Sequence, residues 1–90
     1  MQKINSYAIP AEHKFELEIP ITAQILSVDA KGGTPRMWIL YDTNAILIWR
    51  TFILIPSESS IVYPIEKMKF LGSFPTTTQR IFVFEDIQIH

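Results

Sequence analysis

Ile46-Leu47-Ile48-Trp49-Arg50-Thr51-Phe52-Ile53-Leu54-Ile55 decides the fold of this chain. β-branched and aromatic residues fit a pleated, half-buried surface better than a helix. The run is apolar on both of its alternating faces, and Arg50 is its one charge. It reads as a long central strand.

Working outward, the same strand-like spacing recurs between turn signals. Before the run, Asp42-Thr43-Asn44 is a turn, because Asp and Asn tolerate left-handed geometry and bond their own backbone. Residues 36–42 form another strand, with Met37, Trp38, Ile39, Leu40 and Tyr41. Asp29-Ala30-Lys31-Gly32-Gly33-Thr34 predicts a tight primed hairpin turn back to an apolar run over 23–30. Phe15, Leu17 and Ile19 alternate with Lys14, Glu16 and Glu18, a half-buried strand with one wet face that Pro20 ends. Residues 3–9 alternate weakly around Ile4 and Tyr7 and stop at Pro10.

After the run, residues 56–60 read as a polar loop. Residues 61–69 read two ways: Val62-Tyr63-Pro64 looks extended, and Ile65-Glu66-Lys67-Met68 suits one helical turn. Phe70-Leu71-Gly72-Ser73-Phe74 is a short strand, 75–79 a loop and 80–89 the last strand, with Ile81, Val83 and Glu85 on one face. About seven short strands in one domain over 1–90 predict an all-β fold. The expected form is a small antiparallel β-sandwich or partly open barrel.

Composition narrows the function. Hydrophobic residues make up 48 % of the 90 positions, so a dense core is available. There is no cysteine, which excludes disulfide staples, thiol catalysis and cysteine-based zinc sites. A chain this short buries only about 60 % of its unfolded surface. Only one face of a strand can line a small core, so the second apolar face needs cover from a loop, another sheet or another subunit. A homo-oligomer is therefore expected, with a closed sandwich as the alternative. The 8 basic and 9 acidic residues are scattered and give a net charge of −1. That balance argues against a DNA or RNA polymer as partner but leaves room for a small anion held by one or two arginines. No apolar run reaches the roughly 18 residues of a membrane span, and residues 1–7 lack the apolar stretch of a signal peptide.

The pieces Ile9-Pro10, Phe15, Ile19-Pro20, Ala23, Ile25-Leu26-Ser27-Val28, Gly33, Pro35, Trp38, Asp42, Arg50, Phe52, Phe70-Leu71-Gly72-Ser73-Phe74 and Val83-Phe84-Glu85 stand in order along the chain. In that order they resemble a family of short uncharacterised proteins of bacteriophages and prophages. The resemblance implies a phage gene expressed in the bacterial host cytoplasm and brings no established activity. Two departures are visible. The family pattern has a Gly-Thr-Gly-His-like stretch after the long strand, where this chain has Ile55-Pro56-Ser57-Glu58-Ser59-Ser60. The family also has a histidine near the final strand, where Phe82-Val83-Phe84 stands.

Catalytic chemistry finds no foothold. His13 and His90 are the two histidines, both expected at the surface, and no metal-ligand spacing surrounds them. Ser57, Ser59 and Ser60 lack a nucleophile frame. Gly32-Gly33 lacks the downstream lysine of a phosphate loop. Glu16 and Glu18 share a strand face, as a carboxylate pair would, but alternate with core residues and are expected in solvent.

Arg50 is the exception, a lone guanidinium among Ile46, Ile48, Phe52 and Leu54. Either it pairs with an acid such as Asp42 or Glu85, as an internal salt bridge beneath a tryptophan, or it faces a pocket or interface. In the second case Trp38, Trp49, Tyr41 and Tyr63 could stack on a planar ligand while Arg36, Arg50 and Arg80 grip a phosphate. The expected function is that of a non-enzymatic phage accessory protein with no cofactor. It would bind and sequester a small anionic ligand such as a nucleotide immune signal. The alternative is a protein-binding module, either an inhibitor of a host protein or a minor virion component. A third reading is an enzyme whose site carries no motif.

Overall fold

Alternation and turns resolve into two antiparallel sheets. A computed structural model describes residues 1–87. The strands are β1 (Gln2–Ala8), β2 (Lys14–Pro20), β3 (Gln24–Asp29), β4 (Arg36–Asp42), β5 (Leu47–Pro56), β6 (Met68–Pro75) and β7 (Arg80–Asp86). One sheet has the order β1-β4-β3 and the other β2-β5-β7-β6. The sheets pack face to face and do not close into a barrel, so of the two expected all-β forms the sandwich is the one present. The expected extension of the last strand to residue 89 falls partly outside the described residues, as does His90.

The core lies between the sheets. Phe15 and Ile19 of β2, Met37 and Ile39 of β4, Phe52 and Leu54 of β5, Phe74 of β6 and Val83 of β7 are buried there. Phe15 and Phe52 stand opposite each other in the β2–β5 ladder and stack at 5.5 Å. The seam runs between β3 and β6. Each of these strands carries a register shift, at Ile25/Ser27 and at Phe70/Gly72. A Cβ placed on Gly72 would lie 3.1 Å from Val28 Cβ, and Gly72 has φ +155, so glycine is what lets the two strands approach.

One of the two expected turns differs in detail and the other forms as expected. Residues 30–35 link β3 to β4 through a 3₁₀ turn, Lys31–Gly33, rather than a two-residue primed turn. Gly32 and Gly33 both take positive φ there, which explains the glycine pair. The Asp42-Thr43-Asn44 turn forms as an Asx turn, with the Asn44 N–H donating to Asp42 Oδ1 at 2.9 Å. It carries the chain from one sheet to the other instead of closing a hairpin. The ambiguous 61–69 stretch divides: Ile65–Lys67 is a 3₁₀ turn and β6 begins at Met68.

Candidate functional site

Arg50 projects from β5 to the inner face of the sheet, as its alternation with Ile48, Phe52 and Leu54 requires. It meets Glu85 of β7. Nε donates to Oε2 at 2.6 Å and Nη2 to Oε1 at 2.7 Å, a bidentate fork, while Nη1 donates to the Ala23 carbonyl at 2.7 Å. The two side chains are 15 % and 9 % exposed. The acid is Glu85, one of the two expected partners. The second, Asp42, sits at the β4–β5 turn with the N-terminal ammonium 3.7 Å away. Asp42's carboxyl is held below the usual carboxylate range, first by the Asn44 N–H and then by that ammonium. Among the described residues no buried side-chain polar atom lacks a partner.

The expected ligand-gripping set is dispersed over the molecule. Trp49, next to Arg50, points to the outer face of its sheet and is 64 % exposed. Arg36 and Trp38 lie on the outer face of the other sheet, where Arg36 Nη1 donates to Ser6 Oγ at 3.1 Å and Trp38 Nε1 to Asp29 Oδ2 at 3.0 Å. Neither tryptophan roofs the Arg50–Glu85 pair, a correction to the expected arrangement. Tyr41 packs inward against the core. Arg80 starts β7, exposed, with Nε donating to Ser73 Oγ at 2.8 Å. Of the set, only Arg36 and Trp38 are neighbours on an exposed face; Trp49 and Arg80 lie at opposite ends of the outer face of the other sheet.

Two features escape the sequence reading. The first is a fold of loop 57–64 over the outer face of β5. Ile53 and Ile55 point away from the main core yet are 1 % and 7 % exposed; Ile55 lies against this loop, and Ile53 stands between Lys14 and Phe84 in the ladders. Tyr63 Oη and His13 Nε2 hydrogen-bond and so latch the loop to the β1–β2 connection. Beneath it lies a 260 Å³ pocket lined by Leu54, Ile55, Ile61, Val62, His13 and Tyr63 among others. Of the apolar run Ile61-Val62-Tyr63 in this loop, Tyr63 is half-buried while Ile61 and Val62 stay 56 % and 79 % exposed at the pocket rim. The second feature is a 410 Å³ pocket at one end of the sandwich, between Ala30, Gly33 and Pro35 on one side and Pro75, Thr76 and Thr77 on the other. Glycine, proline and threonine in turns give no sequence signal of a cleft.

Neither pocket holds a charged side chain in its lining, and no group of three or more His, Cys, Asp or Glu among the described residues could hold a metal ion. No helix among them is long and apolar enough to cross a membrane. A family model described as a domain of unknown function, DUF7352, matches residues 1–89. The chain belongs to this family. No curated protein and no solved structure matches it.

What this DUF7352 chain presents to solvent is best seen on the outer face of the β1-β4-β3 sheet. Ile4, Leu26 and Trp38 are exposed there beside half-buried Leu40, with Arg36 and Asp29 at one end. In the ladders Ile4 stands opposite Leu40, and Ser6 opposite Trp38. The outer face of the second sheet has loop 57–64 over one end of β5 and carries Glu16 and Glu18 on β2.

Proposed function

We propose that this chain is a non-enzymatic accessory protein that acts by binding a protein surface. The observation that carries this reading is the bare apolar face formed by Ile4, Leu26, Trp38 and Leu40. Contiguous exposed apolar groups rimmed by polar ones mark protein contact sites. Tryptophan and arginine at the edge of such a patch are the residue types that carry most contact energy. The sequence resemblance to phage proteins supports a phage gene acting in the host cytoplasm, as an inhibitor of a host protein or a minor virion component.

A second reading keeps the small anionic ligand. Arg36 and Trp38 share one exposed face, so a base could stack on Trp38 while Arg36 takes a phosphate. Arg50 supports neither reading, because Glu85 and the Ala23 carbonyl already use its donors.

The test compares the protein with a Leu40→Lys variant, which puts a charge in the centre of the face. Both are immobilised and exposed to host lysate and to purified virion proteins. A partner retained by the native chain and lost by the variant supports protein binding. In parallel, cyclic dinucleotides, cyclic oligonucleotides and ADP-ribose-type signals are mixed with the protein. Depletion of a ligand that heat denaturation returns intact would favour sequestration. Return of an altered product would mean an enzyme.

A further inference from the structure

β1 and β2, the edge strands away from the β3–β6 seam, are built differently. β1 pairs with β4 on one side, and among the described residues no strand lies on its other side. The Thr43 N–H donates to the Met1 carbonyl and the Ile9 N–H to the Pro35 carbonyl. In this register the odd-numbered residues of β1 bond to β4. The backbone N–H and C=O groups of Gln2, Ile4, Ser6 and Ala8 therefore point to the open edge. The same logic on β2 uses the bonds Ile21 N–H to Ile46 O and Leu54 N–H to His13 O. There the outward residues are Lys14, Glu16, Glu18 and Pro20. Charges and a proline guard that edge against a further strand, and β1's outward residues carry neither.

We infer that β1 is the edge through which two copies of this chain pair, antiparallel and about a two-fold axis, joining the β1-β4-β3 sheets into one continuous sheet. The occupant is a second copy because β1 complements itself. With Asn5 on the axis, Gln2 faces the partner's Ala8 and Ile4 faces the partner's Ser6. All four outward-pointing residues then find hydrogen-bond partners. Lys3, the one charge in β1, stands opposite the partner's Tyr7 and never opposite its own copy. One adjustment is required. In the single chain the Ser6 N–H donates to Asn5 Oδ1 at 2.8 Å, and Asn5 must release it for the partner strand. Pairing also doubles the bare apolar face, since Ile4 and Leu40 of both copies come to the centre of the joined sheet. The inference rests on the homo-oligomer expectation and leaves the choice of outside partner open.

Light scattering at micromolar protein tests it, with Ile4→Pro and Asn5→Cys as probes. The native chain should show twice the 10.4 kDa monomer mass. Ile4→Pro removes an outward N–H while sparing every β1–β4 bond, so it should halve the mass with the circular dichroism spectrum unchanged. Asn5→Cys creates the one thiol in a cysteine-free chain. It should form a disulfide-linked dimer with oxidised glutathione. Residues directly opposite in a non-hydrogen-bonded pair have Cα atoms about 4.5 Å apart, within the range a disulfide spans. Lys14→Cys, on the guarded edge, should stay reduced under the same conditions. A monomeric native chain would overturn both the homo-oligomer expectation and this interface. An oligomer that Ile4→Pro leaves intact, or that links through Lys14→Cys as fast as through Asn5→Cys, overturns the β1 interface alone.

Discussion

β4 and β5 are interior strands of their sheets and look alike in sequence, apolar on both faces. Their surroundings differ. β5 has Arg50 locked to Glu85 on its inner face, and on its outer face buried Ile53 and Ile55, with loop 57–64 against Ile55. β4 buries Met37 and Ile39 fully inside and leaves Trp38 exposed and Leu40 half-buried outside. Two-faced apolarity therefore has two outcomes in one molecule. The chain's own loop lies over one end of β5 and leaves Leu47 and Trp49 exposed at the other, and the outer face of β4, beside exposed Ile4 and Leu26, is where an interaction surface can be sought.

The largest effect should come from the inner face of β5. Glu85→Ala leaves the Arg50 guanidinium buried without its carboxylate and should cost about 3–5 kcal/mol in urea unfolding. Arg50→Ala should be comparable, whereas Lys14→Ala on the wet face of β2 should stay within about 0.5 kcal/mol. Replacing both partners, Arg50→Met with Glu85→Leu, should recover most of the loss. If the single variants are as mild as Lys14→Ala, the pair is not desolvated and β5 loses its distinction from β4.

The outer face of β5 comes next. Ile53→Ala should lose about 2–5 kcal/mol because its surroundings cannot collapse fully into the space. Trp49→Ala, exposed on the same face, should change stability by no more than about 0.5 kcal/mol. Equal losses would mean that the outer face of β5 buries nothing at Ile53. At the seam, Gly72→Ala should cost about 1–3 kcal/mol, since a methyl group must push Val28 aside.

Smaller still is the latch on the covering loop. Tyr63→Phe removes the hydrogen bond to His13 and should cost about 0.5–1.5 kcal/mol, with amide exchange rising first in 57–64. The smallest effect is a pH dependence at the β4–β5 turn. Asp42 is held below the ordinary carboxylate range, so its contribution is complete above that range and is lost as pH falls through the lowered value. Asp42→Asn should flatten that acid limb of the stability curve slightly. A variant whose acid limb is as steep as the native one would remove Asp42 as its source.

The all-β class was legible because alternation in Phe15, Leu17, Ile19 and in Ile81, Val83, Glu85 needs no tertiary information. Placing Glu85 on the inner face of β7 also made it one of two named partners for Arg50. Pairing order was not legible. The Asp42-Thr43-Asn44 turn has the same local chemistry whether it closes a hairpin or passes the chain between sheets, and here it does the latter. The dispersal of Arg36, Trp38, Trp49 and Arg80 follows from that missing information. Residue type suggests a binding set, and only sheet membership and face decide whether its members meet. The packing of loop 57–64 against Ile55 was hidden for a related reason, since Val62-Tyr63-Pro64 reads as extended whether or not it joins a sheet.

The order in which strands enter the two sheets also sets how the chain must fold. β1 waits for β4, and β2 waits for β5, so Gln2 has to find Asp42 and Lys14 has to find Ile53 across long intervening segments. Only β3–β4 and β6–β7 are local hairpins. Loop closure for the distant pairings comes before their contacts stabilise anything, which places folding of such β topologies on the scale of about milliseconds to seconds. A ribosome-bound chain ending just after β4 would hold Phe15, Leu17 and Ile19 on a strand with no neighbour. The apolar face of β2 is thus the part of this protein most exposed to misassociation while it is being made.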